Sequence, residues 1–249
     1  MTIFYFTATG NSLAVAKQIG GELISIPQAI DSNILQYKDD VIGVIFPIYW
    51  WSMPIMVRKF MKKVKLEADY HFAIGTCGNV AGGAMRDIQN LAKKKGYSFD
   101  YTNHILMLDN YLPVFDMKSQ LESLPKKKVA EQTAKIIADI KNRKQINAKS
   151  NPITIAMTAI FKIIFRPAKF AKKYTIKDKC NNCETCALVC PGKNITVTDK
   201  VSFGSQCEGC LACIHACLQI SMRTKSEKRW RNPEVSLHEI IKANNRTGK

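Results

Sequence analysis

The first 145 residues alternate continuous apolar runs with stretches in which apolar residues recur every three or four positions. The continuous runs predict strands that are buried on both faces, at 2–6, 41–46 and 70–76, with weaker candidates at 22–26 and ending at 106–108. The three- and four-residue spacing predicts helices at 13–19, 54–64, 84–95 and 129–140. This alternation predicts an α/β doubly wound parallel sheet with helices on both of its faces.

A more apolar stretch follows at 151–166, where the polar residues form one narrow stripe of a predicted helix that Pro167 ends. The stripe consists of Asn151, Thr154, Thr158, Lys162 and Arg166. Such a helix needs a cover for its apolar surface. We expect it to pack against the preceding domain. Two alternatives stay open: a contact with a second copy (a homodimer) or a partner protein, or contact of 151–173 with a membrane surface through its lysines.

The positive charge is concentrated in the middle of the chain. Of the net +17 over 249 residues, residues 117–179 contribute most, with 16 basic and 4 acidic side chains. The lysines are not interleaved with aromatic residues, and no motif known from nucleic-acid-binding proteins accompanies them. We therefore expect no nucleic-acid partner. An acidic redox protein is the kind of partner that this charge favours. The run 126–128 is expected to be the solvated start of a helix.

The cysteines are concentrated as well, because eight of the nine lie between Cys180 and Cys217. The chain has no apolar run of about 18 residues and does not start like a signal peptide, so a cytoplasmic protein is expected. In that compartment, dense cysteines indicate metal or redox chemistry rather than disulfides. The ninth, Cys77, follows a predicted strand as either a small core residue or a ligand-loop residue.

The eight cysteines form two copies of one pattern, C-x2-C-x2-C-x3-C, 27 residues apart. Zinc sites use paired C-x2-C units instead, which this spacing does not match. The stretch 175–225 looks like a bacterial dicluster ferredoxin, a small α+β domain with two 4Fe–4S clusters, although Leu218 stands where a proline usually follows. That arrangement implies that each fourth cysteine serves the other cluster. The implied sets are Cys180, Cys183, Cys186 with Cys217, and Cys207, Cys210, Cys213 with Cys190.

Three predicted loops follow strands at one edge of the sheet and carry ligand-type residues. The first offers hydroxyls and a glycine before a helix, which suits a phosphate group, although an ordinary capped turn is the alternative. The second is aromatic and the third is rich in small residues, which suits a flat ring. Residues 1–145 resemble flavodoxin in the pattern [ST]-x-T-G-x-[ST], which implies bound FMN. The implied contacts are Thr7, Thr9, Gly10, Asn11, Ser12, Pro47, Tyr49, Trp50, Thr76, Cys77, Gly78, Asn79, Gly82 and Gly83.

These patterns divide the chain into a flavodoxin-like domain (1–145), a basic and apolar helical linker (146–174), a ferredoxin-like domain (175–225) and a polar tail (226–249), with a short helix at 233–242. The whole resembles flavodoxin–ferredoxin fusion proteins, which implies electron transfer between two 4Fe–4S clusters, FMN and a partner protein. Two alternatives stay open: a reductase of a small substrate, or an interaction protein whose first domain no longer binds FMN.

Overall fold

The structure, a computed structural model, describes residues 1–222 and 228–245. The first part of the chain alternates strands and helices, in this order: β1 (Thr2–Tyr5), α1 (Asn11–Ile19), β2 (Glu22–Ser25), α2 (Ile26–Asp31), β3 (Gln36–Lys38), β4 (Val41–Pro47), α3 (Ile55–Lys63), β5 (Lys65–Glu67), β6 (Tyr70–Cys77), α4 (Ala84–Lys93), β7 (Tyr101–Leu106), α5 (Met117–Ser123), a 3-10 turn (Leu124–Lys127), α6 (Val129–Lys141) and β8 (Ile146–Asn147).

The remaining elements are shorter, apart from two helices. They are α7 (Pro152–Ile164), α8 (Pro167–Ala171), β9 (Thr175–Ile176), α9 (Thr185–Leu188), β10 (Ile195–Val197), β11 (Val201–Phe203), α10 (Ala212–Ala216), β12 (Ile220–Ser221) and α11 (Leu237–Asn244). Strand β9 pairs antiparallel with β12, and β10 pairs antiparallel with β11.

Six strands form the central sheet in the order β2-β1-β4-β6-β7-β8, and every pairing is parallel. Strands β3 and β5 pair with each other outside this sheet. When the strands of this sheet alone are numbered in chain order, β4, β6 and β7 become the third, fourth and fifth. The first five strands then lie in the order 2-1-3-4-5, which is the flavodoxin-like doubly wound order. The order reverses between β1 and β4, and in such sheets ligands bind beyond the carboxyl ends of the strands at that point.

Two hydrophobic cores cover the two faces of the sheet. One packs α2, α3 and α4 against residues such as Phe4 and Val44. The other joins α1 and α6 to residues such as Ile3 and Ile74, and it continues without a break into the cysteine segment and α11. The cysteine segment is therefore packed on the sheet by a shared core rather than attached through a linker.

The predicted strands and helices of the first part are present, and α2, α5, β3 and β5 are additions. Three further differences concern the second half. Strand β8 lies inside the expected linker, because it pairs with β7 and extends the sheet beyond residue 145. The C-terminal helix runs from Leu237 to Asn244, where Ser236 and Glu239 form a capping box that fixes its start. The charged run 126–128 is only partly solvated, since the Lys127 ammonium is engaged by backbone carbonyls.

Among the described residues, no helix has the length and apolar character needed to cross a membrane.

Candidate functional site

A cavity of about 400 Å³ opens beyond the carboxyl ends of β1, β4, β6 and β7. Its volume lies in the range of small-molecule and cofactor sites, roughly 300–1,000 Å³. Four loops of the sheet domain line it, together with Phe161 from α7 and residues 209–211 from the second cysteine motif. The cavity therefore lies at the sheet edge where the ligand-type loops are predicted to meet, and part of its wall comes from the second half of the chain.

The loop between β1 and α1 provides a concentration of hydrogen-bonding groups. The Gly10 N–H donates to Thr7 Oγ1 at 3.2 Å, and Ser12 Oγ lies 2.9 Å from Thr76 Oγ1 across the cavity edge. Helix α1 begins at Asn11, and Gly10 before it, in a left-handed conformation, has no side chain with which to cap the helix. Uncapped N–H groups and the positive end of the helix dipole favour an anion such as a phosphate group.

The outer side of the same loop is covered by residues 228–245, which we call the C-terminal segment. The sequence alone indicates no role for this segment. The Asn232 N–H donates to the Thr9 carbonyl at 2.8 Å. The Asn244 amide donates to the carbonyls of Thr7, at 3.0 Å, and Val189, at 3.1 Å. A salt bridge of 2.7 Å between Lys17 and Glu239 adds a link between α1 and α11. The far end of the chain thus holds the loop in place.

Replacing Asn244 should weaken this arrangement. The Asn244 side chain is almost completely buried and donates to two carbonyls of buried residues, so Asn244→Ala leaves both carbonyls without this donor. We expect the free energy of unfolding to fall by about 2–3 kcal/mol, because each unsatisfied buried group costs about 1–3 kcal/mol. Denaturant unfolding measures the loss. The exposed Asn90 provides the control, since Asn90→Ala removes the same amide without exposing a buried partner.

The aromatic loop is a tight turn with an unusual composition. Tyr49 and Ser52 exchange two backbone hydrogen bonds of 2.8 and 2.9 Å, and Trp50 and Trp51 between them have φ angles of 49° and 60°. Positive φ at both central positions is a type I′ turn, which normally carries Asn or Gly. Bulky residues there cost about 1–3 kcal/mol each, and such strain is concentrated at functional sites.

Helix α7 holds this turn in place. The rings of Trp50 and Phe165 have centroids 4.9 Å apart, and those of Trp51 and Phe161 are 5.3 Å apart. Trp50 also contacts Tyr111, at 5.4 Å, from the loop after β7. The aromatic wall of the cavity is therefore built by three separate segments of the chain.

Most of the FMN contacts expected from the sequence line the cavity. They are Thr7, Thr9, Asn11, Ser12, Pro47, Tyr49, Trp50, Thr76, Cys77, Gly78 and Asn79. Three glycines lie elsewhere. A Cβ on Gly10 would meet Asn232 and Val235 of the C-terminal segment, and one on Gly82 or Gly83 would meet Trp51 or Thr158. These glycines allow close approach of supporting segments instead of facing the cavity.

A lysine ammonium lies behind the cavity wall, at the ends of β6 and β7. Lys127 Nζ donates to the carbonyls of Gly78 and Met107, both at 2.6 Å. Burial lowers the pKa of Lys127, whereas the nearby Asp109 and Cys77 act to raise it. Burial also raises the pKa of Asp109 and, to about 12, that of Cys77. Gly78, Asp109 and Cys77 all line the cavity, so the lysine charge lies one layer behind its surface.

The two cysteine motifs share a backbone feature. In each, the residues on both sides of the second cysteine have positive φ: Asn182 and Glu184 around Cys183, and Gly209 and Leu211 around Cys210. A short helix then begins, α9 in the first motif and α10 in the second. Positive φ is uncommon for side chains such as Glu and Leu, so its repetition at equivalent positions indicates a conformation that both motifs require.

Several thiols have electrostatic neighbours in the opposite motif. Burial is the main cause that raises the pKa of Cys186, to about 11, and the charges of Cys217 and Cys183 add to it. Burial likewise raises the pKa of Cys213 well above its usual value, followed by the charges of Cys190 and Cys207. Cys190 also acts on Cys207 and Cys210. Each fourth cysteine thus lies near the opposite motif. Cys180 Sγ lies 3.6 Å from Asn182 Oδ1.

Backbone N–H groups approach several of these sulfurs. The donors are the N–H groups of Asn194 to Cys190 at 3.4 Å, Gly209 to Cys207 at 3.3 Å and Gln219 to Cys217 at 3.4 Å. Such hydrogen bonds favour the thiolate form and set the reduction potential of iron–sulfur centres. All nine cysteines are free thiols.

The donor set of the cysteine motifs is compatible with clusters. Among the residues that the structure describes, no three His, Cys, Asp or Glu side chains converge as a site for one ion. The thiolates of a 4Fe–4S cluster each bind a different iron, so they surround the cluster instead of converging on one point. Thiol-only ligands, N–H donors to sulfur and the repeated backbone conformation fit such a group, and iron would displace the thiol protons on binding.

Part of the cavity wall is formed by residues that the sequence analysis does not predict to contact a ligand. It consists of Leu108, Asp109, Asn110, Tyr111, Val114 and Phe115 after β7, with Phe161 and residues 209–211. The polar run 109–110 directly after a predicted strand was a usable signal, because the carboxyl ends of parallel strands share one edge. His215 connects this loop to the second cysteine motif, since its Nε2 lies 2.9 Å from the Asn110 carbonyl. For Phe161 and 209–211 the signal was absent, because only the tertiary packing brings them there.

Comparison with protein-family models finds no match, and comparison with curated proteins finds none. Solved structures with some likeness include a putative flavoprotein from Bacteroides uniformis (14% identity, 49% of this chain and 95% of that one, TM-score 0.33). Others are the Trp repressor binding protein from Bacillus subtilis (15%, 57% and 97%, 0.37) and the Megasphaera elsdenii flavodoxin (18%, 42% and 85%, 0.32). At these TM-scores the likeness does not establish what this chain binds.

Proposed function

We propose that this chain is an electron-transfer protein that holds FMN in the sheet-edge cavity and two 4Fe–4S clusters in the cysteine segment. The proposal rests mainly on one observation: Cys210, a predicted cluster ligand, lines the same cavity as the loop between β1 and α1, which we call the phosphate-type loop. When bound, clusters exchange single electrons and a flavin exchanges one or two, so proximity of the two sites suits transfer within one chain.

Each part of the cavity has a place in the proposed FMN site. The loop of Thr7, Thr9 and Ser12, with the N-terminus of α1, supplies the donors for the phosphate group. The aromatic turn supplies a flat apolar wall for the ring system, and the backbone after β6 supplies polar contacts at its edge. Tyr49 lines the cavity together with Cys210. Burial raises the pKa of its phenol well above the usual value, and the charges of Cys210 and Glu208 add to that shift.

The two proposed ligand sets differ in their exposure to solvent. Cys183 of the first set is exposed, and Cys186 of that set is buried. In the second set Cys213 is buried and the other three thiols are partly exposed, with Cys210 facing the cavity. The set of Cys180, Cys183, Cys186 and Cys217 thus offers the side on which a soluble partner protein can approach. In the set of Cys190, Cys207, Cys210 and Cys213, Cys210 lines the cavity.

The rate of flavin reduction by a small one-electron donor protein tests this function. Cys183→Ser alters the exposed ligand set without touching the cavity, and we expect it to slow flavin bleaching at least tenfold while flavin content stays unchanged. An unchanged rate would contradict the proposal, since the flavin would then receive electrons without the cysteine segment. Turnover of a small substrate by the reduced parent protein would favour a reductase instead.

Lys127 should set the reduction potential of the bound flavin. Its ammonium is held behind the cavity wall by two carbonyls, so Lys127→Gln removes a partly buried positive charge that favours the added electrons. We expect the two-electron potential to fall by roughly 30 mV or more, equivalent to about 1.4 kcal/mol. A spectroelectrochemical titration measures the shift. Lys126→Gln is the matched control, because Lys126 is exposed.

A further inference from the structure

Helix α7 is turned the opposite way from an ordinary surface helix. The middle of its polar stripe faces the protein: Thr158 is buried and accepts a 2.9 Å hydrogen bond from the Gly83 N–H, and Lys162 pairs with Asp87. Asn151 and Arg166, at the ends of the stripe, are exposed. Its apolar side faces outward, with exposed fractions of 72% for Ile153, 70% for Ile163 and 66% for Ile164. A surface helix normally buries its apolar stripe.

The orientation is fixed by contacts that a rotated helix would lose. Phe161 packs on Trp50 and Trp51, and Phe165, just after the helix, packs on Trp50. Together with the hydrogen bond of Thr158, these contacts secure one side of α7 against the aromatic turn. The outward isoleucines, including Ile160 at 47% exposure, therefore form a stable apolar surface. We call Ile153, Ile160, Ile163 and Ile164 the isoleucine face.

The charges of the chain segment that carries the isoleucine face are of one sign. Residues 140–177 contain ten basic and no acidic side chains. Four of the basic residues follow α7 within nine residues of its end, and all four are exposed: Arg166, Lys169, Lys172 and Lys173. An apolar helix side next to a cationic segment is the composition of helices that lie in the interface of an anionic bilayer.

We propose that the isoleucine face and the adjoining basic segment bind the surface of an anionic lipid membrane, with α7 lying in the headgroup region. A second copy of the chain fits less well, because a two-fold contact through this face would bring the two cationic segments together. A protein partner also fits less well, since the face presents only aliphatic side chains and lacks the aromatic anchors of protein interfaces.

Sedimentation with lipid vesicles tests the proposal on the full-length protein, purified anaerobically. We expect at least tenfold stronger binding to phosphatidylcholine vesicles that contain phosphatidylglycerol than to phosphatidylcholine alone. The variant Ile160→Ser/Ile163→Ser/Ile164→Ser should lose at least tenfold in binding. Ile34→Ser is the matched control, because Ile34 is 54% exposed in the loop before β3. The variant Lys169→Gln/Lys172→Gln should weaken binding to anionic vesicles only.

Flavin and iron content verify that each variant is folded, which the exposure of the substituted side chains favours. Equal binding of the parent protein and the isoleucine variant would overturn the proposal, as would equal binding to neutral and anionic vesicles. A parent protein that is dimeric in solution, ignores vesicles and becomes monomeric on isoleucine substitution would assign the face to a second copy instead.

Discussion

Replacing Cys190 together with Cys207 should remove only about half of the iron, whereas replacing Cys190 together with Cys186 should remove nearly all of it. The reason is the crossed neighbourhood of the thiols. The charge of Cys190 acts on Cys207, Cys210 and Cys213, whereas that of Cys217 acts on Cys186. Two losses from one ligand set empty one cluster site, and one loss from each set empties both.

Iron and acid-labile sulfide per chain measure this effect in the serine variants. The parent protein should hold about eight irons and the Cys190→Ser/Cys207→Ser variant about four. A sequential arrangement, with one cluster per motif, predicts the reverse pattern for the two double variants. Loss of nearly all iron from Cys190→Ser/Cys207→Ser would therefore contradict the crossed ligand sets. Flavin content is the internal control for folding of the sheet domain.

Gly10→Ala should lower the affinity for FMN at least tenfold and leave the iron content unchanged. Gly10 has φ +102°, and an added Cβ would lie 2.9 Å from Asn232 Cβ and 3.0 Å from Val235 Cβ. The substitution therefore strains the loop and displaces the segment that supports it. Left-handed backbone costs an L-residue roughly 1–2 kcal/mol, so the clash with the C-terminal segment adds to that cost.

Gly96 provides a control that separates strain from collision. It has φ +85°, but a Cβ there would meet nothing within 4 Å. Gly96→Ala should lower the free energy of unfolding by roughly 1–2 kcal/mol, and it should leave FMN affinity unchanged because Gly96 lies after α4, outside the cavity lining. Titration of the flavin-free protein with FMN compares the two variants. Equal affinities would show that the C-terminal segment does not support the phosphate-type loop.

The sheet and most of the cavity-lining loops could be predicted because their signals are local. The apolar runs at β1, β4 and β6 lack alternation, and the residues after each strand necessarily meet at one edge of a parallel sheet. The spacing of the cysteines within each motif is likewise a local signal for how their thiols are arranged. In these places, the residues that determine the structure are neighbours in the sequence.

The rest depends on contacts between distant segments. Nothing near Asn244 indicates that its amide holds the Thr7 carbonyl, 237 residues away. From the sequence alone, the polar stripe of α7 is expected to face solvent. The pattern shows that the helix has a polar and an apolar side, but it does not show which side the rest of the protein covers. Lys127 reads as solvated, since only the fold brings the carbonyls of Gly78 and Met107 to its ammonium. In each case the partner, and not the residue type, decides the role.

The flavin, iron and sulfide content of the anaerobically purified protein tests the central claim most directly. The account predicts about one FMN, eight irons and eight sulfides per chain, with the visible absorption of both kinds of centre. Flavin without iron, or zinc in the place of iron and sulfide, would contradict the cluster assignment. Iron and sulfide without flavin would leave the cavity at the sheet edge to another ligand.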